Sequence, residues 1–206
     1  MMGYKARSLQ DLYIKGLPTL DYSTTTSPDV AVEACKMYHN DYKGCWACRI
    51  DAPINTGKIL PLFGSNKQTD LNTLLPIFEK ILHDNPEYSF LCSEAPNDAT
   101  RDANTVCWMQ DDVMLGEISF ESLTLRDAWT KGKPLIYYSI DGGVGDYLRN
   151  PPVVHHRVNY LRKIRNIIKH FHGEEFEISV AEKERIIVWQ SISIKDVRDY
   201  TIFHTC

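Results

Sequence analysis

The sequence predicts an α+β fold. Candidate strands and helices follow one another irregularly instead of in βαβ units. No glycine cluster has the spacing of a dinucleotide-binding loop or a Walker motif, and Asp141-Gly142-Gly143-Val144-Gly145 reads as a turn. No internal repeat appears, so the 206 residues, 43% of them hydrophobic, are expected to form one domain over 1–206.

In chain order, Gly3–Arg7 reads as a short strand and Ser8–Lys15 as a helix stopped at Gly16-Leu17-Pro18. The hydroxyl run Tyr22–Ser27 leads to Pro28-Asp29, which predicts a helix with Ser27 as its cap and Pro28 in its first position. Cys45–Ile50 reads as a strand and Leu74–Leu82 as a helix with Pro76 in its first turn. The polar stretch Ala95–Thr105 predicts a loop. Glu117–Leu123 and Leu135–Ile140 follow as strands, then Val153–Phe171 as the longest helix. Phe176–Val180, Glu184–Trp189 and Tyr200–Phe203 close the chain as strands.

Composition narrows the classes. Charged residues at 24% and aromatics at 11% exclude a disordered chain. The longest apolar stretches, Pro134–Ile140 and Ile186–Trp189, are far short of the roughly 18 residues a membrane span needs. Met1-Met2-Gly3-Tyr4-Lys5 shows no signal-peptide pattern, so a cytoplasmic location without a membrane partner is expected. A net charge of −4 argues against an obligate nucleic-acid coat. The six cysteines are too dilute for a disulfide framework and read as reduced thiols. Cys45-Trp46-Ala47-Cys48 lacks two further zinc ligands, His39 being the one nearby candidate, and reads as small residues in and beside a strand.

Two regions carry a chemical signal. One spans 4–36, with Lys5 and Arg7 on the first expected strand and Ser23-Thr24-Thr25 ahead of the Pro28 helix. The other spans 176–203, with Glu182-Lys183-Glu184 ahead of the Arg185–Val188 strand. In order and separation these resemble the arginine–serine–glutamate branch of the ADP-ribosyltransferase superfamily. The resemblance implies a split mixed or antiparallel sheet with helices and a large central insertion at about 64–150.

It also implies a mono-ADP-ribosyltransferase, a glycosyltransferase acting on NAD+ as substrate, with no metal. Glu184 is then the carboxylate that stabilises the oxocarbenium-like ribose, and Glu182 handles the acceptor. Ser23 orients Glu184 and the ribose, with Thr24 and Thr25 beside it. Either Arg7 or Lys5 grips the pyrophosphate. The acceptor implied is a protein side chain such as arginine, with RNA or DNA and NAD+ hydrolysis as alternatives. A toxin or effector delivered into a target cell, with an antitoxin or immunity partner, fits that family. Two further readings stay open: a HEPN-type ribonuclease, from the spacing of Arg165 and His170, and an inactive interaction module.

Overall fold

A computed structural model describes residues 2–55, 60–95, 103–120, 136–140, 147–149, 158–181 and 185–193. The architecture is α+β, in two compact units, Met1–Ala99 and Thr100–Cys206. The two motif regions fall one in each unit.

The first unit comprises α1 (Tyr4–Ile14), β1 (Tyr22–Thr25), α2 (Pro28–Asp41), β2 (Trp46–Asp51), β3 (Leu62–Gly64), α3 (Leu74–Asp84) and β4 (Ser89–Glu94). Its four-stranded antiparallel sheet runs β1-β4-β2-β3. β4 is paired on both sides and every residue in it is buried. Alternation sends Trp46, Cys48, Ile50, Phe90 and Cys92 to one face. There they meet Ala31, Val32, Cys35 and Tyr38 of α2 and Leu74 and Phe78 of α3.

Helix α2 starts as its sequence requires, with Ser27 at the cap position, Pro28 first and Asp29 in the first turn. The Ser27 side chain makes no cap bond; instead its backbone N–H donates to Thr25 Oγ1 at 3.0 Å. β3 approaches β2 so closely at Gly64 that a Cβ there would lie 2.6 Å from the Trp46 carbonyl.

Helix α1 corrects the expectation of a strand at Gly3–Arg7. The sequence between Gly3 and Ser8 carries no local cap, and the first turn is held from 46 residues away. The buried Asp51 carboxylate accepts the backbone N–H of Lys5 at 3.0 Å and of Ala6 at 2.8 Å, and the Tyr4 N–H donates to the Ala52 carbonyl at 2.7 Å. Ala6, Leu9 and Leu12 form the buried stripe, and Gly16, at φ +72°, ends the helix.

The second unit comprises β5 (Ala103–Gln110), β6 (Val113–Phe120), β7 (Ile136–Ile140), β8 (Tyr147–Arg149), α4 (Val158–Ile168), β9 (Glu174–Ala181) and β10 (Arg185–Ser193). They build a six-stranded antiparallel sheet in the order β10-β9-β5-β6-β7-β8. β5 begins inside the stretch 95–105 expected as a loop, because Ala103, Asn104 and Thr105 are paired on both sides, by β6 and by β9. Arg165 of α4 donates through Nε and Nη2 to the Asp112 carbonyl, tying the helix to the β5–β6 turn. The Gly-rich turn at 141–145 and the expected strand at 200–203 lie outside the described residues.

Replacing Asp51 with alanine strands two backbone donors in a buried position. Urea unfolding should show a loss of roughly 2–4 kcal/mol in the first unit. An unchanged midpoint would mean that α1 does not depend on this carboxylate.

Candidate functional site

The six-stranded sheet separates two chemistries by face. Ala103, Thr105, Cys107 and Met109 of β5 point one way, with Phe176, Ile178 and Val180 of β9 and Met114 and Ile118 of β6. All are buried, as are Leu161, Ile164 and Ile168 of α4, and Phe171 sets its ring edge-on against Phe176 at 5.9 Å.

The opposite face is polar and acidic. Asn104, Val106 and Trp108 of β5 share it with Glu175, Glu177 and Ser179 of β9 and with Leu115 and Glu117 of β6. Glu177, Val106 and Glu117 are in one cross-strand row, and Glu175, Trp108 and Leu115 are in the next. At one end a polar chain fixes the surface: Ser179 Oγ donates to Asn104 Oδ1 and accepts from Trp189 Nε1 at 2.6 Å.

Glu117 and Glu175 are buried, only 4% and 8% exposed. Burial first, then the neighbouring Glu117 and Glu177 carboxylates, push the Glu175 carboxyl above its usual range. Buried carboxylates that repel one another are a poor way to stabilise a sheet. They are a suitable way to hold a cation: hard oxygen donors from two strands match a divalent ion such as Mg2+, which takes one or two carboxylates and leaves room for phosphate oxygens. Sequence reasoning missed this pair. The alternation of charged and apolar residues in Glu174–Ala181 marks a two-faced strand, but it does not reveal that Glu117 is two strands away on the same face.

Of the residues singled out from sequence, Lys5, Arg7, Ser23, Thr24 and Thr25 lie among the described residues of the first unit. Lys5 and Arg7 sit on α1, where two positions along a helix point about 200° apart, so they do not share a face. The Arg7 guanidinium donates to the carbonyls of Met2 and Pro53. Ser23, Thr24 and Thr25 do form a strand, β1, paired to Cys92, Leu91 and Phe90 of β4. Burial pushes the Tyr38 hydroxyl up, and a hydrogen bond with Ser23 acts the other way. Glu182 and Glu184 lie between β9 and β10, outside the described residues.

His170 follows α4 exposed, in a unit built on a six-stranded sheet and not a helical bundle, so the ribonuclease alternative falls with its fold. Among the described residues no helix is long and apolar enough to cross a membrane. An open cleft of about 490 Å³ in the first unit, walled by Lys36, His39, Trp46 and Asp70, is a weaker candidate, since Lys36 is already paired with Glu33 at 2.8 Å.

The first unit thus carries a four-stranded and the second a six-stranded antiparallel sheet, the latter with an acidic buried face. No family model matches the sequence, and no curated protein matches it. Solved structures do match in fold. D-alanyl-alanine synthetase A from Vibrio cholerae aligns over 92% of this chain and 54% of its own, at 8% identity and a TM-score of 0.51. The macrocyclase MdnC from Microcystis aeruginosa, solved with its precursor peptide MdnA, aligns over 91% and 51%, at 13% identity and a TM-score of 0.49. The ATP-grasp ligase PsnB, solved with a minimal precursor, aligns over 91% and 51%, at 12% identity and 0.46. The chain spans about half the length of the structures it matches.

The α+β fold is like that of D-alanyl-alanine synthetase A over 92% of this chain. This corrects the resemblance to ADP-ribosyltransferases and what came with it: the NAD+ substrate, the glycosyl-transfer activity and the expected absence of a metal. The physical reason is local as well as global. The first-strand cation of that family needs a strand where this chain has α1.

A pH dependence follows from Glu175. The fold retains this proton to higher pH than the unfolded chain does, so stability falls as pH rises from the ordinary carboxylate range through the raised value. In chelator at neutral pH, Glu175→Gln should remove that slope. Its Tm should rise by roughly 2–4 °C, the shift that ~1 kcal/mol gives in a chain of this size. A lower Tm in calorimetry would show that the ionised carboxylate is stabilising.

Proposed function

We propose that the chain binds a nucleoside triphosphate with a divalent cation on the polar face of the six-stranded sheet, as the nucleotide-binding part of an ATP-dependent ligase. The buried carboxylates Glu117 and Glu175, on one face of the sheet and electrostatically coupled, carry the reading, and the fold likeness to D-alanyl-alanine synthetase A supports it. Their donor chemistry suits Mg2+ or Mn2+, with Glu117 and Glu175 as protein ligands and Glu177 adding negative potential beside them.

Glu117 and Glu175 would hold such a cation, which would supply positive charge against the phosphate negative charge that builds up during phosphoryl transfer. The chain's own residues hold and orient. Val106, Leu115 and Trp108 supply half-buried apolar surface beside the carboxylates. The Trp189–Ser179–Asn104 chain keeps the neighbouring strands in register. The rows of the sheet set the spacing of the carboxylates before any ligand arrives, so little reorganisation is needed on binding.

Titration calorimetry with ATP or ADP, with Mg2+ and with chelator, tests this. Binding should require Mg2+ and should weaken at least tenfold in Glu117→Gln and in Glu175→Gln, while NAD+ gives no heat. Nucleotide affinity that is indifferent both to chelator and to the two substitutions would refute the assignment.

A further inference from the structure

Three thiols converge in the core of the first unit. Cys48 on β2 and Cys92 on β4 are direct cross-strand partners, and Cys35 comes down on them from α2. Cys92 Sγ lies 3.6 Å from Cys48 Sγ and 3.8 Å from Cys35 Sγ, and all three sulfurs fall within 4.8 Å of one another. Each residue is 0% exposed. Metal–sulfur bonds of about 2.3 Å place the sulfurs of a trigonal thiolate site about 4 Å apart, which this spacing matches.

We propose that Cys35, Cys48 and Cys92 form a three-sulfur site for a soft d10 cation of the Cu(I) class, which clamps α2 to β2 and β4.

The ligand count decides the class of metal. Structural zinc is four-coordinate, and among the described residues no histidine or carboxylate joins the three sulfurs. Among the described residues, the Ala31 carbonyl is a further polar neighbour and accepts from the Cys92 thiol at 3.6 Å. Soft thiolates in a closed, apolar pocket favour Cu(I) over harder ions. Cys45 is not part of this site, so the Cys45–Cys48 spacing does not define it. Cys45 precedes β2 and is half-buried, so the ligands come from three separated positions that no spacing motif joins.

Ionisation in the cluster is shared. Contacts with Cys35 and Cys92, together with burial, push the Cys48 thiol far up, and hydrogen bonding to both neighbours pulls Cys92 down. Each thiol that ligates the metal releases its proton to solvent. With all three cysteines 0% exposed, the metal enters as the unit folds or during local opening. The ion is therefore structural, and it stabilises the fold in proportion to its free concentration.

The test refolds the full chain anaerobically with Cu(I) supplied against a competing chelator. One equivalent should bind per chain, with a thiolate-to-copper absorption band, a raised Tm and a sulfur-only shell by X-ray absorption. Cys48→Ala and Cys92→Ala should weaken binding by roughly a hundredfold or more, as loss of one of three ligands requires, while Cys45→Ser should leave it intact. If the alanine variants fail to fold, the sulfur-only shell in wild type and its retention in Cys45→Ser decide. Nitrogen or oxygen in the shell, binding unaltered by the core substitutions, or preference for Zn(II) over Cu(I) would overturn the site.

Discussion

In an antiparallel sheet each residue must choose a face, and its neighbours on the adjacent strands inherit the choice. That period of two is the constraint on which both units depend. In the six-stranded sheet, Phe176, Ile178 and Val180 must lie on the apolar face, which leaves Glu175, Glu177 and Ser179 on the other. β5 repeats the division with Thr105 and Cys107 against Asn104 and Val106. A one-residue slip of β9 against β5 would bury three polar side chains in the core and expose three large apolar ones. The register that protects the core is thus the same register that brings the carboxylates together.

The same constraint acts differently where a sheet is covered on both sides. In the first unit β4 is buried throughout, so each of its faces needs its own partner. α2 and α3 cover the face of Phe90 and Cys92, while Asp51, on the alternate face of β2, receives the N-terminus of α1. A buried carboxylate is costly unless its oxygens are filled, and two backbone N–H groups at a helix start are suitable donors. Gly3 is needed beside them, since a Cβ there would lie 2.2 Å from the Asp51 carboxyl carbon.

How much of this was legible in the sequence follows from how local each cause is. α2 was readable because Ser27, Pro28 and Asp29 are adjacent, and α3 because Leu75, Phe78 and Leu82 recur at helical spacing, although the residues it buries fully are Leu74 and Phe78. The Ser8–Lys15 part of α1 was readable from its Gly16 stop, but its first turn was misread as a strand because it is satisfied by Asp51, and no sequence window contains both. The start of β5 was misread because Asn104 and Thr105 look like loop residues until β6 and β9 pair with them. The candidate site was the least legible, since Glu117 and Glu175 become neighbours only through the strand order of the sheet. The resemblance to ADP-ribosyltransferases rested on three short motifs in order, and order along a chain constrains a fold far less than pairing does.

The two clusters that the sheets create differ in chemistry, and the difference separates their ligands. Glu117 and Glu175 offer hard oxygen donors, while Cys35, Cys48 and Cys92 offer soft sulfur in a dry core. Mg2+ dehydrates reluctantly and ignores thiolate, while Cu(I) gains little from carboxylate. A single chain can therefore hold a structural ion in one unit and a nucleotide-bound ion in the other without exchange between them. Selection needs no geometry finer than donor type, because each sheet has already sorted its donors by face.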